Sequence, residues 1–284
     1  MKPSSWALKI ETLPRGACRR ARSNTARVGE SAFPYRGHLF SVVPAREELW
    51  LALLLNAVNP AIGGVLVRGG EDAARSTAAR GIRELLPLAA GGGKPAFVDF
   101  PTGATEDAVI GSLGFDGEPC FRPGLLARAH EGVLYIGEVN RLDGRLIDGI
   151  FDAAENGENV IERAGRRLRH PSRFVLIGAM NPEADEPSPR LLDRFGLAVS
   201  FDGGPLERRA DDAAFRRRIA AARERLPEVI VPVRLVGFID EICLRNRIAG
   251  HRAGLAVARA ARAHAAWRGR LDVSADDILS VAPM

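Results

Sequence analysis

The sequence predicts an α/β protein: a parallel sheet flanked by helices, with an all-helical C-terminal part. Three observations carry this expectation. Two apolar runs, Val133–Ile136 and Phe174–Ile177, have the length and β-branched content of buried parallel strands. Each run hands polar residues to its C-terminal end, Glu138 and Asn140 after the first and Asn181 after the second. Residues 233–282 instead read as successive helices, the last opened by Ser274 as an N-cap. Ligands of open α/β sheets sit outside the carboxyl ends of the strands, so a carboxylate and an amide are expected to share one crevice.

Composition narrows the class. A chain of 284 residues has ample material for one or two domains, and 46% hydrophobic with 26% charged residues is ordinary for a globular protein. No run reaches the roughly 18 apolar residues that span a bilayer. The greasiest stretch, Leu49–Val58, contains Asn56 and reads as a buried helix. Cys18, Cys120 and Cys243 are too widely spaced for a zinc site and read as incidental or buried thiols in a reducing compartment. The net charge of +5 comes largely from arginines that are interleaved with acids and accompanied by few aromatics, so no dedicated nucleic-acid role is expected.

The elements follow in order. Residues 1–32 are basic, Ser/Arg-rich and aperiodic, and read as a disordered extension. An organelle transit peptide has a similar composition. A cytoplasmic chain is expected, or a plastid one if that second reading holds. Residues 33–205 form the α/β core. Phe33–Val43 enters it, and residues 44–58 read as a helix with Pro44 near its first turn and acids early. Residues 63–69 end a buried strand at Gly69, and a helix follows with Ser76 and Thr77 in its first turn. This strand–loop–helix order is the setting of a phosphate-binding loop. The loop runs Gly69-Gly70-Glu71-Asp72-Ala73-Ala74-Arg75-Ser76-Thr77. Measured against G-x-x-x-x-G-K-[ST], it has Ala74 for the second glycine and Arg75 for the lysine. A Cβ at a left-handed position costs about 1–2 kcal/mol. Arginine keeps the charge but not the compact ammonium.

Residues 96–100 read as a strand and Phe121–His130 as an amphipathic helix. Leu142–Glu155 is the next helix, capped by Asn156-Gly157. A hairpin follows, pairing Val160–Arg163 with Arg167–Arg169, and Arg173–Gly178 returns to the sheet. Asp193-Arg194, after the apolar pair Leu191-Leu192, can place a fixed cation on the domain surface. Residues 206–232 are a linker, with a charged helix over Leu206–Leu226, and residues 233–284 form the helical lid.

Three segments carry a resemblance. LYIGEVN is similar to a hydrophobic-Asp-Glu-Val-Asn motif, RHPSRFVLIGAMNPE to a sensor-1 strand, and LLDRFG to an arginine-finger segment. Together with PTGATED and FRPGLL they resemble the ATPase subunit of magnesium chelatase, of the AAA+ class, from about Phe33 to Pro283. The resemblance implies an AAA+ P-loop-type core with a lid, ATP and Mg2+ as cofactors, and a hexameric ring of chelatase subunits. In that ring, ATP drives insertion of Mg2+ into protoporphyrin IX by a separate porphyrin-binding catalytic subunit, in (bacterio)chlorophyll biosynthesis.

Roles carried over by resemblance place Gly69, Arg75, Ser76 and Thr77 at the phosphates, with Ser76 on the metal. Glu138 is the base, Asn181 orients the hydrolytic water, Arg194 reaches a neighbour's γ-phosphate, and Arg252, in Gly250-His251-Arg252-Ala253, touches the nucleotide from the lid. The plainer readings stay open: a solvated carboxylate for Glu138, and a turn residue before Pro182 for Asn181. Departures from the family pattern are Asp72 for a glycine, Gly137 for the metal-holding aspartate, and Val43-Pro44-Ala45 for the Val-Gly-Gln that frames adenine. Impaired ATP hydrolysis is therefore expected. The alternatives are a catalytically inactive scaffold or regulator that lends Arg194 to a partner, or a chaperone for another metalloprotein.

Overall fold

The structure is a computed structural model that describes residues 43–44, 47–89, 92–114, 120–163, 166–181, 187–201, 206–207, 212–246 and 251–284. The expectations for residues 1–42 lie outside these. In chain order the elements are β1 (Val43–Pro44), α1 (Glu47–Val58), β2 (Val65–Arg68), α2 (Asp72–Leu85), β3 (Phe97–Asp99), α3 (Glu106–Ile110), β4 (Ser112–Gly114), β5 (Cys120–Arg122), α4 (Leu125–Arg128) and β6 (Val133–Ile136). Then come α5 (Gly144–Asn156), β7 (Glu158–Arg163), β8 (Arg166–Pro171), β9 (Val175–Met180), α6 (Pro189–Leu192), β10 (Leu197–Ser200), β11 (Leu206–Glu207), α7 (Asp212–Arg225), α8 (Val233–Arg245), α9 (His251–Trp267) and α10 (Ala275–Val281).

Five strands form one parallel sheet in the order β10-β2-β9-β6-β3. Side chains alternate across it with period two. Val65, Val67, Val133, Tyr135, Val175, Ile177 and Val199 face one core, with α1, α2, α7 and the C-terminal helices. Leu66, Leu134, Ile136, Leu176 and Met180 face a second core, with Phe151 and Ile150 of α5. Burial on both faces is why these strands read as unbroken apolar runs rather than alternating ones.

Three expected elements differ. Phe121 and Arg122 are not helical: they pair with β4 in a short antiparallel ladder, and the helix is confined to α4. Leu206 and Glu207 pair with Pro44 and Val43, so the charged helix starts only at Asp212. The same pairing removes Pro44 from the α1 helix. In each case a local helical pattern yields to main-chain pairing with another segment, near in sequence for Phe121–Arg122 and distant for the other two, which a propensity cannot see. The hairpin after α5 forms as expected, β7 pairing β8 from Glu158↔Pro171 to Arg163↔Arg166. Ser274 caps α10 in a full capping box with Asp277.

Helix α9 runs antiparallel to α1. Trp50 meets Trp267 with ring centroids 6.2 Å apart, while at the other end Asn59 Nδ2 donates to the Arg259 carbonyl at 3.2 Å and Arg259 donates to the Ala61 carbonyl at 2.7 Å. Ala61 leads into the N-terminal end of β2, so the middle of α9 lies at the edge where the parallel strands begin.

Candidate functional site

Three predicted residues converge where the parallel strands end. Gly69 follows β2, Asn181 follows β9, and Glu138 lies two residues beyond β6; these are three adjacent strands. The register pairs Arg68 with Met180 and Ile136 with Gly178, and Gly69 N donates to the Met180 carbonyl at 3.2 Å. Neighbouring strands are about 4.8 Å apart, so the crevice is one site wide. Asn181 and Glu138 are both exposed there. Glu138 makes an ion pair with Arg141 at 3.0 Å, one helical turn on. A half-exposed pair of this kind contributes little to stability and is easily exchanged.

The phosphate loop has a different form from the expected one. α2 begins at Asp72, not near Ser76. The Ala74 and Arg75 amides donate to the Glu71 carbonyl, and Thr77 Oγ1 donates to the Ala73 carbonyl at 2.6 Å. Ser76 and Thr77 thus lie in the second turn, where main-chain N–H groups are already used by the helix. The cause is local: a glycine discourages helix by roughly 1 kcal/mol relative to alanine, and the chain has Asp72 and Ala74 where glycines would keep a loop.

The Arg75 side chain, 3% exposed, turns back into the loop. Its guanidinium donates to the Gly69 carbonyl at 2.8 Å, to the Gly70 carbonyl, and to Asp72 Oδ1. Gly69 and Gly70 have φ of +84° and +71°, which turn the loop under Phe201. A Cβ at Gly70 would lie 2.3 Å from the Phe201 ring, so only glycine fits. Beneath the guanidinium is Tyr135, whose hydroxyl burial pushes up to about 12 against the opposing pull of Arg75. Tyr135 is therefore neutral and cannot serve as a base. At position 137, a Cβ would meet only the Tyr135 ring at 3.6 Å and its hydroxyl at 3.9 Å, both ordinary contacts.

Two predicted residues lie away from this crevice. Arg194 precedes β10, at the edge where the strands begin. The sequence predicts a fixed cation on the domain surface. Instead its side chain is 5% exposed, 2.7 Å from Asp152 Oδ1, 3.3 Å from Asp148 Oδ1 and 4.0 Å from Glu155, and it donates to the Asp148 carbonyl at 3.1 Å. The three acids lie on one face of α5, and the Phe151 ring is 5.6 Å below the guanidinium. Arg194→Ala is therefore expected to lower stability by about 1–3 kcal/mol through loss of charge-assisted bonds, read as a lower denaturant midpoint. Arg252 is exposed and lies seven residues before Arg259, about 10 Å further along α9 from the crevice. It lies on the far side from the crevice, because α9 points its N-terminus away from it.

A profile described as magnesium chelatase, subunit ChlI, matches residues 54–187, and one described as an AAA lid domain matches residues 237–284. The magnesium-chelatase 38 kDa subunit of Chlorobaculum tepidum is 36% identical over 88% of this chain and 79% of its own length. The chain belongs to the magnesium chelatase ChlI family. Its fold is of the AAA+ class: the solved BchI–BchD magnesium chelatase complex contains a chain 37% identical, covering 86% of this one and 93% of itself, with a TM-score of 0.52. An uncharacterized protein of Mycobacterium tuberculosis is 45% identical over 86% of the chain, which spans only 43% of that longer relative.

ATP and Mg2+, which membership of the ChlI family implies, do not fit this loop. A ChlI-type phosphate loop needs N–H groups directed at an anion. Here carbonyl oxygens converge on a buried cation, Glu71 and Asp72 add negative charge, and Gly137 supplies no carboxylate for a metal. Sequence reasoning missed Tyr135 and Phe201 as loop contacts, and Asp148 and Asp152 as partners of Arg194. The i, i+4 spacing of the two acids on α5 was the signal for the latter. No helix among the described residues is long and apolar enough to cross a membrane.

Proposed function

We propose that this chain is a chelatase-family ring subunit whose own phosphate loop does not hydrolyse ATP, and which serves a neighbouring subunit through the edge carrying Arg194. The observation that supports this is the extension of α2 through Asp72–Arg75 over the place of the phosphate loop. Glu138 and Asn181 remain at the chain's own crevice, while Arg194 lies at the opposite edge, where it would have to exchange its α5 acids for a neighbour's phosphate. Arg252 shares the Arg194 edge and is placed to meet a neighbour rather than its own loop. Insertion of Mg2+ into protoporphyrin IX for (bacterio)chlorophyll belongs, in this reading, to the assembly with its porphyrin-binding subunit.

Calorimetric titration with ATP and Mg2+ tests the first part, and phosphate release checks it. Phosphate release at least about 1,000-fold below that of an intact homologue is expected, since both phosphate and metal positions are altered. Release at the ordinary rate sinks the reading. Mixing tests the second part: added chain should change the homologue's rate, and Arg194→Ala should abolish that change. If Arg194→Ala acts like the parent in the mixture, Arg194 serves only its α5 acids.

A further inference from the structure

We propose that Arg75 is an intramolecular ligand of its own phosphate loop, closing residues 69–72 around its guanidinium in a form that leaves no cradle for an anion. This rests on the reading that the loop does not use ATP, and it adds how the empty-handed loop stays folded. The loop is rebuilt rather than merely damaged. Both Gly69 and Gly70 keep the positive φ of a tight turn, and Phe201 covers them, its N–H donating to the Arg68 carbonyl at 2.7 Å. Their carbonyls point inward and need donors, because a buried, unpaired carbonyl is costly. The Arg75 fork supplies donors to both and reaches Asp72 with its other arm. Arginine suits this where lysine would not, since one planar fork bridges acceptors on two sides.

The polarity of the pocket is inverted relative to an anion site. An anion cradle directs N–H groups outward. This one directs oxygens at a fixed cation, and Asp72, in the first turn of α2, completes the charge balance at the helix N-terminus. Tyr135, beneath, presents its hydroxyl to the same guanidinium and stacks on Phe97 at 6.0 Å. Arg80 lies 4.4 Å over the other ring of that pair, so α2 is clamped to β3 and β6 through two arginines. The ring position occupied by this chain is then held in a closed form whatever the nucleotide concentration.

Hydrogen exchange over residues 69–77 in the nucleotide-free chain is the test, alongside the melting temperature. Arg75→Met, similar in length but without donors, should speed exchange there about tenfold or more and lower Tm by about 5 °C. Asp72→Asn keeps the buried guanidinium and removes only the ion pair; it should give a smaller acceleration, and it stands in if Arg75→Met fails to fold. Unchanged exchange in both variants overturns the lock while leaving the absence of ATP hydrolysis intact. Slower exchange of the parent on adding ATP and Mg2+ overturns instead the reading on which the lock rests.

Discussion

A chain carrying Asp72→Gly, Ala74→Gly, Arg75→Lys and Gly137→Asp is expected to bind ATP with Mg2+ at least about 100-fold more tightly than its parent. Charge-assisted hydrogen bonds contribute roughly 1.5–3 kcal/mol each, so regaining two of them to the phosphates suffices. The two glycines should release the first turn of α2 into a loop, freeing the amides that now bond to Glu71 and Asp72. Each glycine also costs the helix about 1 kcal/mol, so the nucleotide-free variant should melt several degrees lower and recover when nucleotide is added. Gly137→Asp alone should change nothing: its Cβ makes only ordinary contacts with Tyr135, but Arg75 still fills the loop. Calorimetry on the parent, the single variant and the fourfold variant checks the series. A fourfold variant that folds and stays blind to ATP would mean that something other than these four residues excludes the nucleotide.

Asp277→Asn is expected to destabilise the helical C-terminal part by about 3 kcal/mol at neutral pH, the scale of breaking a buried charged network. Asp277 is wholly buried and holds four groups at once. Its carboxylate accepts from His264 Nδ1 at 2.7 Å, from Arg270, and from Ser274 N and Oγ at 2.7 and 2.9 Å. Burial alone would push this carboxyl up. The Arg270 guanidinium and the Ser274 and His264 bonds outweigh it and hold the carboxyl below the usual carboxylate range. A depressed folded value means that the stabilisation is fully present above the unfolded value of about 3.9 and is lost as pH falls through the folded one. The parent–variant difference in denaturant midpoint should therefore be wide at neutral pH and close on strong acidification. A gap that persists unchanged at pH 2 would show that shape, not charge, is what Asn lacks.

The sheet was readable because burial on both faces leaves uninterrupted apolar segments such as Val133–Ile136, and capping residues such as Ser274 mark helix starts by a mechanism confined to four positions. The crevice was readable for the same reason: strand ends fix where Glu138 and Asn181 emerge. What depended on distant partners was not readable. Leu206 and Glu207 look helical until Val43 and Pro44 pair with them. Arg194 looks unneeded until α5 brings Asp148 and Asp152 to it. Arg252 sits in a sensor-like tetrapeptide, but only the antiparallel course of α9 decides which way it faces. The loop was the mixed case: its altered residues were visible in the sequence, while the reversal of its hydrogen-bonding polarity came from a side chain folding back on its own turn.

The junction of α1, α7 and α9 gathers Trp50, Phe215 and Trp267 within 6.2 Å of one another, with Arg218 3.7 Å over the Trp267 ring. These two indoles straddle the seam between the sheet-bearing part and the C-terminal helices. Their emission colour and near-ultraviolet dichroism thus form a native optical gauge of that seam. A spectrofluorimeter, with no attached dye and with Trp6 replaced by Phe, can follow whether the two parts separate when the chain meets a partner.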